Sequence, residues 1–235
     1  MRQISRSKDL PHPNHYVKAI LDPTGELYSW AFHEERAPLF KGKWKQEVFQ
    51  VPKEVPLDLE IGTGNGFFFA YRAKQFPQRC LLGIEKKYKP LVQSIRRALR
   101  EGAHNMRILR YHAFLLEDLF ESGEVQDVFI HFPDPWEKKR QKKNRLINKE
   151  FLSKLFSIQS EGGIVEFKTD SRDYFFSALE VFKGSPYFLE AAEENLHQSV
   201  YAKTNFITHF ENLFLKQGLP IYYLLARKEK RGRSQ

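Results

Sequence analysis

A single cysteine among 235 residues rules out an intramolecular disulfide. Cys80 opens the apolar run Cys80 to Ile84 and reads as an inert core thiol. The chain has no stretch approaching the roughly 18 consecutive apolar residues of a membrane span. The segment from Met1 to Tyr16 is basic and lacks an apolar core, so no secretory signal is expected and the cytosol is the expected address. The histidines show no metal-ligand spacing, so no metal is expected. The dinucleotide fingerprint G-x-G-x-x-G is also missing.

What the chain does have is positive charge. A formal net charge of +9 is unusual for an enzyme of small neutral molecules and favours a polyanionic partner. The charge is clustered: Glu137 to Lys149 holds seven basic residues and one acid, and Arg227 to Arg233 holds five and one. With 41% hydrophobic residues the chain is globular, and its length suits one α/β domain with additions.

Residues 1 to 50 carry four prolines and scattered aromatics without a sustained period, which predicts an irregular extension, with room for one short hairpin. From residue 51 to 235 a single domain with a basic tail is expected. Strands are predicted at Leu57 to Ile61, Leu81 to Glu85, Met106 to Leu109, Val125 to His131 and Gly163 to Phe167. Helices are predicted at Phe67 to Phe76, Pro90 to Arg100, Phe114 to Phe120, Leu146 to Ile158 and Asp173 to Phe182. This alternation defines the fold class: α/β, with a doubly wound, mostly parallel, Rossmann-like sheet. Ligands of such sheets bind beyond the carboxyl ends of the strands, where Gly62, Glu85, Tyr111, His112, Asp134 and Thr169 fall.

The turn Gly62-x-Gly64-x-Gly66 lets the backbone bend sharply and approach a ligand. Glu60, just before it, would repel a phosphate but suits an ammonium. Glu85, at the end of the second strand, is placed to accept from two ribose hydroxyls. An anionic site for ribose and an amine describes S-adenosylmethionine, whose sulfonium is also cationic.

Further on, Val128-Phe129-Ile130 leads into His131-Phe132-Pro133-Asp134-Pro135-Trp136 and then a cationic loop. Proline fixes its own φ and disfavours helix in the residue before it, so Phe132 and Asp134 are expected to be extended. A fixed acid beside a phosphate-seeking surface suggests chemistry on a nucleic acid.

These segments, with Phe167-Lys168-Thr169-Asp170 and Thr208-His209-Phe210-Glu211, closely resemble the bacterial tRNA (guanine-N7)-methyltransferases from Leu57 to about Tyr222. The resemblance implies methyl transfer from S-adenosylmethionine to a guanine of the tRNA variable loop. It assigns Glu60, Glu85, His112 and Asp134 to the cofactor, with Asp134 also catalytic. Lys138, Asp170, Thr208, His209, Phe210 and Glu211 match substrate contacts, and Arg140, Lys142, Lys143 and Arg145 fall in the RNA-contacting segment. The family's third-strand Asp-Ala reads His112-Ala113 here. The partner implied is tRNA, with no membrane and no evident protein partner.

The residues support this chemistry directly. Guanine N7 carries a free lone pair, so alignment and electrostatics suffice. A nearby carboxylate stabilises the cationic product, and Asp134 could also accept from guanine N1–H and N2–H. Alternative roles stay open: Asp134 as a turn acid, Trp136 as a base platform or a core lid, Asp170 as an N-cap, Thr208 and Glu211 as a capping box. Two other functions stay open as well. An amino-group methyltransferase would place its acid differently, and an RNA-binding protein on a decayed methyltransferase fold would explain His112.

Overall fold

The computed structural model describes residues 4–229, which fall into two compact units dividing after Val125. Lys230, Arg231 and Arg233 of the basic tail lie outside the described residues.

The first unit holds α1 (His15–Leu21), β1 (Ala31–Phe32), β2 (Leu57–Ile61), α2 (Phe67–Gln75), β3 (Cys80–Ile84), α3 (Tyr88–Arg100), β4 (Met106–Leu109) and α4 (Leu116–Leu119). Its strands lie in the order β1-β4-β3-β2 and all pair in parallel. Every residue of β2 and β3 is buried, which is why these strands read as short apolar runs. Two acids interrupt β2, Asp58 and Glu60; Asp58, 1% exposed, is neutralised by Arg72 at 2.8 Å and by Arg79. Ile20, Phe69, Leu91, Ile95 and Ile108 share one apolar core drawn from α1, α2, α3 and β4.

Residues 4–50 are more structured than their composition suggests. Instead of a hairpin they form α1, capped by Asn14 through the N–H groups of Tyr16 and Val17, and a two-residue strand paired in parallel with β4. Their aromatics pack inward. Trp44 is fully buried, donates its indole N–H to the Leu119 carbonyl at 2.8 Å, and meets Phe32 edge-on at 5.3 Å. Each such aromatic pair adds about 0.5–1.5 kcal/mol beyond its buried area.

The second unit holds β5 (Val128–His131), α5 (Lys149–Ile158), β6 (Ile164–Thr169), α6 (Arg172–Lys183), β7 (Phe188–Glu193), α7 (His209–Lys216) and β8 (Tyr222–Arg227). Its strand order is β5-β6-β8-β7, with β5 and β6 parallel and both pairings of β8 antiparallel. The parallel pairs match the expected mostly parallel sheet. The antiparallel edge had no signature in the sequence. Part of the expected cationic tail is used here: Arg227 pairs with Glu190, and Lys228 donates to the Phe156 and Gln159 carbonyls at the end of α5. Among the described residues no helix is long and apolar enough to cross a membrane.

Candidate active site

In the first unit the glycine turn joins β2 to α2. Gly62 and Gly64 have φ of +83° and +52°, and a Cβ on either would meet nothing within 4 Å. Glycine is required there by conformation, and the space above the turn is open. Gly66, at φ +76°, is different: a Cβ would lie 2.4 Å from the Ser94 Cα, so α2 and α3 touch through it. Ser94 also donates to the Gly64 carbonyl at 2.9 Å, and Arg97 donates to that of Asn65 at 3.0 Å. Neither residue was evident from sequence, because both lie on the amphipathic α3, where polar residues read as solvent-facing.

Glu85, directly after β3, accepts the N–H of Gly64 at 3.0 Å and that of Lys87 at 2.8 Å. Burial pushes its carboxyl above the usual carboxylate range, against the pull of those two N–H groups. Two bonds leave acceptor capacity on a carboxylate that offers about four lone-pair sites. Glu60 is 3% exposed within β2. His112 is half-buried after β4, and its Nδ1 accepts the Phe114 N–H at 3.3 Å. The imidazole thus holds a tight turn by accepting two residues ahead, as an aspartate does in an Asx turn.

In the second unit β5 delivers Asp134 to an exposed turn, and no hydrogen bond reaches its carboxylate among the described residues. The expected extended Phe132 is corrected: its φ is +50°, and that of Trp136 is +46°. Positive φ in bulky residues costs of order 1–3 kcal/mol each and persists only where the surroundings over-determine it. Here the Phe132 N–H donates to the Lys168 carbonyl at 2.8 Å and its ring packs on Phe214 at 5.7 Å. Those tertiary contacts override the local preference of a residue before proline.

Lys168, 1% exposed, is a hub that sequence reading missed. Its Nζ lies 3.8 Å from Glu166 and 3.6 Å from Glu211, and donates to Asn205 and to the Phe206 carbonyl. Glu211 is fully buried and, with Thr208, completes a capping box on α7, the alternative left open above. His209 and Phe210 of the same segment are exposed. Asp170 is half-buried, and burial together with the charge of Glu137 raises its pKa. Ser171, not Asp170, caps α6.

The cationic loop contains a 3-10 turn, Lys139–Asn144. Lys138, Lys139, Arg140 and Lys143 are exposed, whereas Lys142 reaches Asp173 at 2.7 Å. Arg145 is only 3% exposed and turns inward. Groups of three or more residues able to hold a metal ion are absent among the described residues.

The fold is the one shared by methyltransferases. It matches the crystal structure of the 16S rRNA methyltransferase KamB with a TM-score of 0.57 at 12% identity, over 80% of this chain and 94% of that one. It also matches a SAM-dependent methyltransferase of Aquifex aeolicus with a TM-score of 0.52 at 12% identity, over 83% and 93%. A family described as "Putative methyltransferase" matches residues 54–224. A Bdellovibrio bacteriovorus tRNA (guanine-N(7)-)-methyltransferase is 47% identical over 87% of this chain and 98% of its own length. One from Bacillus velezensis is 38% identical over 78% and 82%. The chain belongs to the tRNA (guanine-N(7)-)-methyltransferase family.

Proposed function

We propose that this enzyme methylates N7 of a guanine in the variable loop of tRNA, in the cytoplasm, with S-adenosylmethionine as methyl donor. The observation that carries the reading is the exposed carboxylate of Asp134, held in a turn bounded by two positive-φ residues, in a chain whose relatives are named for this reaction. The donor fits the first unit: open space lies over Gly62 and Gly64, and Glu85 keeps acceptor capacity for ribose hydroxyls. When bound, it supplies an electrophilic methyl group on a sulfonium.

The chain's own residues then do the following. Glu60, Glu85 and the turn around His112 hold the donor. Asp134 orients the base by accepting from guanine N1–H and N2–H, which selects against adenine. The N7 lone pair forms the new N–C bond while the C–S pair leaves on sulfur, and no base is needed to create the nucleophile. Charge appears on the purine, and Asp134 stabilises it more than the neutral ground state. Alignment of this kind contributes up to roughly 7–11 kcal/mol. Lys138, Arg140, Lys142 and Lys143 track phosphates, while Asp170, His209 and Phe210 face the substrate, the last two on the helix start that Thr208 and Glu211 fix.

The test is incubation with labelled S-adenosylmethionine and bulk tRNA, followed by borohydride and aniline treatment. Strand scission at a labelled variable-loop guanosine supports the reading; label elsewhere, or none, contradicts it.

A further inference from the structure

Arg145 closes a run of cations, yet its side chain is 4% exposed and all three guanidinium nitrogens donate to neighbours. Nε donates to the Pro135 carbonyl at 2.8 Å, one residue beyond Asp134. Nη2 pairs with the Asp173 carboxylate, and Nη1 donates to the Asp173 carbonyl at 3.4 Å. The guanidinium also lies 4.9 Å from the ring of Tyr174. That ring is fully buried, and its hydroxyl accepts the Ile147 N–H at 3.0 Å. Asp173 and Tyr174 stand in the first turn of α6, whose start is set by the Ser171 cap. Both ends of the cationic loop, Pro135 and Ile147, are therefore fastened to one helix terminus.

We infer that Arg145 is a positioning residue that fixes the Asp134 turn, and that it makes no phosphate contact. A planar fork can hold a carbonyl, a carboxylate and a ring face at once, which an ammonium cannot do. Asp173 has a second role. It is 56% exposed and also holds Lys142, so the loop rests on an acid that a phosphate can replace at Lys142 but not at the buried Arg145.

The inference rests on the proposed methyl transfer to tRNA, and its test is separable from that reading. Methyl transfer by the parent chain checks the reading; the comparison of variants checks the inference. Arg145→Lys and Arg145→Met are assayed in single turnover at saturating tRNA and S-adenosylmethionine, and tRNA affinity is measured across a salt series. A positioning role predicts a rate loss of roughly ten- to a hundredfold in both variants, with the salt slope unchanged. A phosphate contact predicts the reverse: an unchanged saturated rate, a slope reduced by about 0.7–0.9 in Arg145→Met, and restoration by lysine. Should either variant fail to fold, Asp173→Asn decides. It removes an exposed carboxylate, and the inference requires a lower saturated rate with tRNA affinity no weaker than the parent's. A parent-like rate in Asp173→Asn overturns it.

Discussion

Gly64 donates its backbone N–H to Oε2 of Glu85 at 3.0 Å, so the glycine turn and the end of β3 are one hydrogen-bonded unit. Burial raises the Glu85 carboxyl while its N–H donors lower it, and burial wins. Folding thus favours the neutral acid relative to the unfolded chain. Its contribution to stability is present at low pH and is lost as pH rises through the raised value.

Ribose hydroxyls need the ionised form, so binding of S-adenosylmethionine should expel the Glu85 proton. Between the ordinary carboxylate value and the raised one, affinity should climb with pH. Calorimetry in two buffers of different ionisation heat should show proton release in that window. The Glu85→Gln variant should lose the release in that window. Buffer-independent heats in the parent across the acid range would argue against Glu85 as the ribose acceptor.

His112 supplies an acceptor in the turn after β4. Protonation of Nδ1 removes the acceptor that holds the Phe114 N–H, because an imidazolium only donates. Cofactor affinity should therefore fall across the acidic range in which the ring becomes protonated. His112→Asp should keep its affinity across that range, since a carboxylate still accepts. Parallel affinity profiles in the two proteins would show that the turn does not depend on this side chain.

Much of this was legible in the sequence, and the gaps have physical causes. Leu57–Ile61 and Met106–Leu109 were bounded correctly because buried parallel strands show as apolar runs closed by turn residues. The glycine turn was legible because positive φ needs a special residue. Phe132 was misjudged because its conformation is imposed by Lys168 and Phe214, far along the chain. Arg145 looked like its neighbours because a run of charge does not say which member turns inward. The antiparallel pairing of β8 with β6 and β7 was missed because strand direction is set by tertiary context, and no strand is predicted over Tyr222–Arg227.

The exposed cations should act additively and without sequence preference. Changing Lys139, Arg140 and Lys143 to alanine should weaken all tRNAs alike and reduce the log–log salt slope by about 0.7–0.9 for each lost phosphate contact. Filter binding across a salt series measures it. An unchanged slope would place the RNA on another surface.

Arg110 and Glu34 form a buried pair at 2.6 Å, and Arg110 also holds the Ser5 carbonyl at 2.7 Å. Removing one partner strands the other charge. Arg110→Met should cost about 3–5 kcal/mol in urea unfolding. Replacing both, as Arg110→Met with Glu34→Gln, should recover part of the loss. A single variant of parent stability would show that the pair is already open to water.

The most direct measurement is the single-turnover rate of Asp134→Ala with labelled S-adenosylmethionine and tRNA, alongside tRNA affinity and thermal unfolding of the same protein. Asp134 is exposed, with no hydrogen bond to its carboxylate among the described residues, so the fold and much of the tRNA affinity should survive. Methyl transfer to guanine N7 should be abolished. A rate close to the parent's, with the product still N7-methylguanosine, would contradict the central role given to this carboxylate.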